Sequence, residues 1–174
     1  MNTSGDTDRN AQESEPHCEA VRRGPGEDER TDVTRLPEQL VREARPVYGD
    51  QVRLEQLRLA AEEGLPVEAV KVLQAELKRF GLERASDYVN RIVPRATRMR
   101  RRRLKREEGE AVLRIASLMA LTVYVWGEER LAARFLTTPH MLLGDRVPLD
   151  LALSEVGTRQ VEDVLWGLHY GLPT

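Results

Sequence analysis

The sequence predicts an all-α protein behind a polar N-terminal tail, and three observations carry that prediction. Charged residues make up 32 % and aromatic residues only 5 %, in a composition rich in Leu, Ala, Glu and Arg that suits helices. Beyond position 35, apolar residues recur at spacings of three and four, the period of a helix face buried on a core. Gly81, Gly127 and Gly171, with Pro66, Pro94, Pro148 and Pro173, stand where helices would stop or start. No alternating strand segment and no internal repeat is visible.

Residues 1–35 form an acidic tail whose apolar residues are Met1, Ala11, Cys18, Ala20, Val21 and Val33. Such a segment cannot offset its ordering entropy by burial, so the expectation is disorder. Leu36, Leu40, Val41 and Ala44 mark a weak amphipathic arm. Leu54, Leu57, Ala60 and Ala61 mark a helix that runs to Gly64. Pro66 opens the next, where Val70, Leu73, Leu77 and Phe80 share a face and Gly81 ends it. A short helix over Glu83–Arg91 precedes a break at Pro94, which suits the first position of a helix over Pro94–Lys105. A long helix covers Glu107–Trp126, another Glu129–Leu136, and residues 139–147 form a loop. Pro148 opens a short helix to Leu153, and a last helix spans Thr158–Tyr170. The division is therefore a tail (1–35), a helical region (36–106), and a long helix with a small helical domain (107–174).

Charge is distributed unevenly. Residues 78–106 hold twelve basic residues against Glu83 and Asp87, a net of +10 in a chain whose formal net charge is −2. One segment thus owns a positive field that the whole-chain balance conceals. Its two short helices have the outline of a helix-turn-helix, with a second helix reading PRATRMRRRRLK. Arg95, Arg98, Arg102 and Lys105 fall on one face of that helix, and Ala96 and Met99 are placed to pack inward. Arg95, Thr97, Arg98, Arg100, Arg101, Arg102, Arg103 and Lys105 are the candidate DNA contacts. Arg bonds guanine edges and phosphates bidentately, and four consecutive arginines spread around the helix, so several would meet backbone. A solvated basic face, or a patch that meets acidic parts of the chain, is the plainer alternative.

Val112–Trp126 is apolar nearly all round, as expected of a core helix that could also seam a homodimer. Interrupted by Arg114, it is too short to span the ~30 Å hydrocarbon of a bilayer. The N-terminus shows no apolar targeting run, and the one cysteine, Cys18, allows no disulfide within the chain, so a reducing cytoplasm is expected. His17, Cys18, Glu15 and Glu19 lack the ligand geometry of a metal site. His140 and His169 have no Cys or second His nearby in sequence, and there is no phosphate-cradling glycine loop. No catalytic residue, metal or cofactor is therefore assigned.

The C-terminal block carries a further signal. Gly127-Glu128-Glu129 is followed by Ala132, Phe135 and Leu136, then Thr138-Pro139-His140, Leu143-Gly144 and Arg146-Val147-Pro148-Leu149-Asp150-Leu151. Glu155, Gly157, Val161-Glu162-Asp163, Leu165 and Tyr170-Gly171 complete the series. In order and spacing, this block resembles the toxin-binding domain of the Xre/MbcA/ParS antitoxin family. Residues 65–126 resemble, more weakly, that family's divergent helix-turn-helix and linking helix, with one residue fewer before Pro94 and a heavier arginine run.

The resemblance implies a non-enzymatic antitoxin whose partner is a RES-domain toxin, one that consumes NAD or uses it for ADP-ribosylation. It also implies a homodimer that binds its own operator DNA. Toxin contacts are assigned to Val161, Leu165 and Trp166 and to the terminal stretch Leu168, His169, Tyr170, Gly171, Leu172, Pro173 and Thr174. In the latter, Gly171 can turn the chain and Pro173 stiffens it, so that it would plug the toxin's NAD cleft. The alternative is a helix-turn-helix transcription regulator whose C-terminal domain only dimerises or senses another partner.

Overall fold

Nine α-helices and one 3₁₀ turn follow one another along the described part of the chain, with no strand among the described residues. The computed structural model describes residues 33–43 and 51–171. The helices are α1 (Leu36–Glu43), α2 (Gln51–Glu63), α3 (Glu68–Arg79), α4 (Ala85–Ile92), α5 (Arg95–Arg100), α6 (Arg106–Trp126), α7 (Glu129–Thr137), α8 (Pro148–Leu151) and α9 (Glu155–Tyr170). The all-helical expectation holds. The tail expected to be disordered lies outside the described residues up to position 32. Val33–Arg35 form a turn, and Val33 packs against the core.

The 21-residue α6 is the axis of the fold. Ile115, Ala116, Leu118, Met119 and Ala120 are wholly shielded from solvent, because α1, α2, α3, α4, α7 and α9 all pack on the helix. By length and composition α6 would pass for a membrane span, yet 61 % of its most apolar window is buried inside the protein. The plainer account is a core helix.

The arm that looked weak in sequence is firmly docked. Leu36, Leu40 and Val41 of α1 are buried against α6 and α3. Each such side chain contributes about 1.5–3 kcal/mol by leaving water.

The helices before α6 are also joined to those after it by polar contacts. The Tyr88 hydroxyl on α4 donates to the Leu149 carbonyl on α8 at 2.6 Å, in a buried position. Arg91 pairs with Asp150 at 2.6 Å. Arg79 bridges Glu76 on its own helix and Glu129 on α7. Burial pushes the Tyr88 phenol well above its ordinary pKa, since the phenolate would be stranded away from water.

The last helix starts three residues earlier than its periodicity indicates. The Ser154 hydroxyl caps it by accepting from the Gly157 amide at 3.0 Å. Gly157 permits this close approach, for a Cβ there would stand 2.1 Å from the Leu151 carbonyl oxygen.

Candidate functional site

The basic segment departs from the expected geometry. The helix over Pro94–Lys105 is cut short: α5 ends at Arg100, and Arg101 is extended at φ −122° and ψ 151°. The cause is burial. No side chain of α5 is buried, so nothing favours its continuation. Leu104, by contrast, reaches the core at 5 % exposure. Its amide donates to the Leu65 carbonyl at 2.8 Å, and the Val67 amide donates to the Arg102 carbonyl at 3.1 Å. This short extended pairing exchanges helical hydrogen bonds for equivalent ones plus an anchored leucine.

The single arginine face expected from Arg95, Arg98, Arg102 and Lys105 is therefore replaced by two pieces. Arg95, Thr97, Arg98 and Arg100 lie on α5, whereas Arg101, Arg102, Arg103 and Lys105 lie on the extended segment that follows. Ala96 and Met99, expected to pack inward, face solvent, Met99 with 78 % exposure.

Several of the cations have structural tasks. Arg103 donates to the carbonyls of Glu63 and Gly64 at 2.9 and 2.7 Å, closing the C-terminal end of α2. Gly64 makes room for this, since it sits at φ +79° with the Leu104 carbonyl 3.1 Å from where a Cβ would stand. Arg101 lies 3.7 Å from Glu108. The Glu108 carboxylate also accepts from the Lys105 amide at 2.8 Å at the start of α6. Arg84, Arg91 and Arg106 pair with Asp87, Asp150 and Glu110. Among the described residues, Arg95, Arg98, Arg100, Arg102, Arg103 and Lys105 have no carboxylate partner. Apart from Lys78 on α3, the uncompensated charge of the +10 segment thus collects on α5 and the strand-like stretch after it.

The second surface lies at the end of α9. Four rings meet there. Trp166 stacks on Tyr170 with centroids 5.8 Å apart, His169 stands edge-on to Trp166 at 5.8 Å, and Tyr124 of α6 faces His169 at 5.2 Å. Tyr124, Leu168 and Tyr170 are 41 %, 42 % and 66 % exposed. A cluster of exposed rings with polar tips is the composition that protein interfaces favour at their centre.

Of the residues assigned to toxin contact, Trp166, Leu168, His169, Tyr170 and Gly171 are at least partly accessible. Val161 and Leu165 are not. Both are wholly buried, because they are the stripe by which α9 packs into the core, and they offer no surface to a partner. Leu172, Pro173 and Thr174 lie outside the described residues. Tyr124 belongs to this surface and was not legible in sequence, because the uniformly apolar run around it indicates no outward face.

Among the described residues no group of three or more His, Cys, Asp or Glu is placed to hold a metal ion.

Comparison with known proteins bears on the same end of the molecule. Residues 121–171 match the family described as the antitoxin Xre/MbcA/ParS C-terminal toxin-binding domain. The match runs from the last turns of α6 through α9 and takes in all four rings. It upholds the resemblance drawn from the residues after Gly127. No curated protein matches the chain.

Proposed function

We propose that this chain, which carries an antitoxin-type toxin-binding domain at residues 121–171, neutralises a RES-domain toxin by direct binding and represses its own operon by binding DNA. The observation that carries the first part is the family match, on a domain whose ring cluster at the end of α9 is left partly open to solvent. Trp166, His169 and Tyr170, with Tyr124 beside them, form the docking face. The residues from Gly171 onward occlude the NAD cleft of the toxin, since Gly171 can turn the chain and Pro173 stiffens it.

DNA binding is supported by the uncompensated arginines of α5, set beside α4 after a tight turn at Val93–Pro94. If about five phosphates are neutralised, log affinity falls with log salt at a slope of roughly −4 to −5.

The test is co-expression with a RES-domain toxin. The intact chain co-purifies with the toxin and suppresses NAD consumption. Deleting Gly171–Thr174 preserves the complex and restores NAD consumption. Full inhibition by the truncated chain would show that occlusion lies elsewhere. Failure of the intact chain to bind any such toxin would leave transcription regulation as the better reading.

A further inference from the structure

We infer that the notch framed by α3, α4 and α5 is a phosphate-binding site in which Arg98 is the fixed cation. The notch has a volume of about 340 Å³, and Lys71 and Gln74 of α3, Ser86 and Asn90 of α4, and Arg95 and Arg98 of α5 line it. Three cations face it against one carboxylate, Glu68, and none of these four groups makes an ion pair among the described residues. A partly enclosed space lined by one sign of charge concentrates the opposite sign.

Arg98 supplies the second, independent observation. One of its terminal nitrogens donates to the Asn90 side-chain oxygen, which holds the guanidinium without neutralising it. Its Nε–H is shielded from solvent and has no acceptor. A buried donor left unmet is costly, and the missing partner is by definition an acceptor. Gln74 donates its amide nitrogen to the Ser86 oxygen at 2.9 Å, and its carbonyl oxygen does not serve the Arg98 Nε–H. An anionic oxygen entering the notch would first meet the terminal nitrogen of Arg98 that Asn90 leaves open, and would reach Nε as the side chain yields, with Lys71 and Arg95 adding charge. A phosphate group fits, for it offers several acceptors to a planar fork.

The group has two possible sources, a duplex backbone and free inorganic phosphate. The duplex source rests on the DNA-binding reading above; the notch itself does not. With a duplex, Arg98 clamps a backbone phosphate instead of reading a base, contrary to what its place on a recognition helix indicates.

The experiment uses the full chain and follows the Arg98 Nε–H signal by NMR, assigned by its loss in Arg98→Lys. Inorganic phosphate and then a duplex are titrated in. The expected result is a saturable shift of that signal with the duplex. Arg98→Ala should also lower affinity for every duplex sequence alike, on the order of tenfold, and flatten the salt slope by about one. Lys71→Ala should act in the same sense with a smaller loss.

A shift with inorganic phosphate and no duplex binding would uphold the notch and overturn the DNA reading. Duplex binding with the Arg98 signal unmoved, or a loss confined to one sequence, would overturn the notch and leave the DNA reading intact. A signal that neither titrant moves overturns the notch as well. Unchanged melting of Arg98→Ala separates each result from loss of fold.

Discussion

The last helix and the basic helix both carry residues assigned to partner contacts, yet they are built on opposite principles. α9 buries Val161, Val164 and Leu165, and its cap and close glycine fix its start. α5 buries nothing; the buried Val93 precedes it, Leu104 anchors the chain after it, and Arg98 ties it to Asn90 of α4. In α9 packing positions the exposed rings, so its face is rigid. In α5 charge has no such support, and the chain is free to leave the helix where a leucine finds the core. A functional face that rides on a buried stripe inherits its geometry from the core, whereas one made of charge alone takes whatever path its neighbours allow.

The sharpest way to break this contrast is to remove the arm that covers α6. A chain beginning at Leu36 keeps its fold, whereas one beginning at Gln51 loses Leu36, Leu40 and Val41 from the core. Three buried side chains amount to roughly 5 kcal/mol or more, comparable to the entire stability of a domain. Chemical denaturation compares the two. Equal midpoints would mean that α1 is ornamental.

Within the core, Leu118→Ala on α6 should cost about 2–5 kcal/mol by opening a cavity. Gly157→Ala, which drives a methyl at the Leu151 carbonyl, should cost about 1–3 kcal/mol through strain at the start of α9. A thermal melt checks both. A harmless Gly157→Ala would show that α9 is less firmly seated than its packing implies.

The joint between α4 and α8 responds to pH. Tyr88→Phe leaves the Leu149 carbonyl unmatched and should cost about 1 kcal/mol near neutrality. The Tyr88 pKa is raised in the fold, so its stabilising effect is complete below the unfolded value of about 10 and is lost as pH rises beyond it. The wild-type chain therefore weakens above about pH 10 by an increment that the Phe variant lacks. Parallel alkaline profiles for the two would contradict the burial of this hydroxyl.

The smallest effect is expected on α5. Arg100→Ala should change stability by less than about 0.5 kcal/mol, since the side chain is exposed and makes no ion pair. Its consequence should appear in duplex affinity alone. A large loss of stability would mean that α5 is packed more tightly than its exposed side chains indicate.

Much of this architecture was legible in the chain itself. The three-and-four spacing of Val70, Leu73 and Leu77, the apolar run after Val112 and the glycines at helix ends fixed the helices, because burial and backbone torsion act on residues close in sequence. The ordered series from Gly127 to Gly171 likewise carried the resemblance that the family match upholds, and Trp166 and Tyr170 were among the residues it led to as toxin contacts. What tertiary structure alone decided depended on partners far along the chain. Leu104 ends α5 by pairing with Leu65. Val161 and Leu165 turn inward on the core, and Tyr124 joins α9 from α6. Arg98 meets Asn90 at the rim of a notch that includes α3. Sequence periodicity says which side chains share a face; only the packed molecule says which face has met a neighbour and which still looks outward.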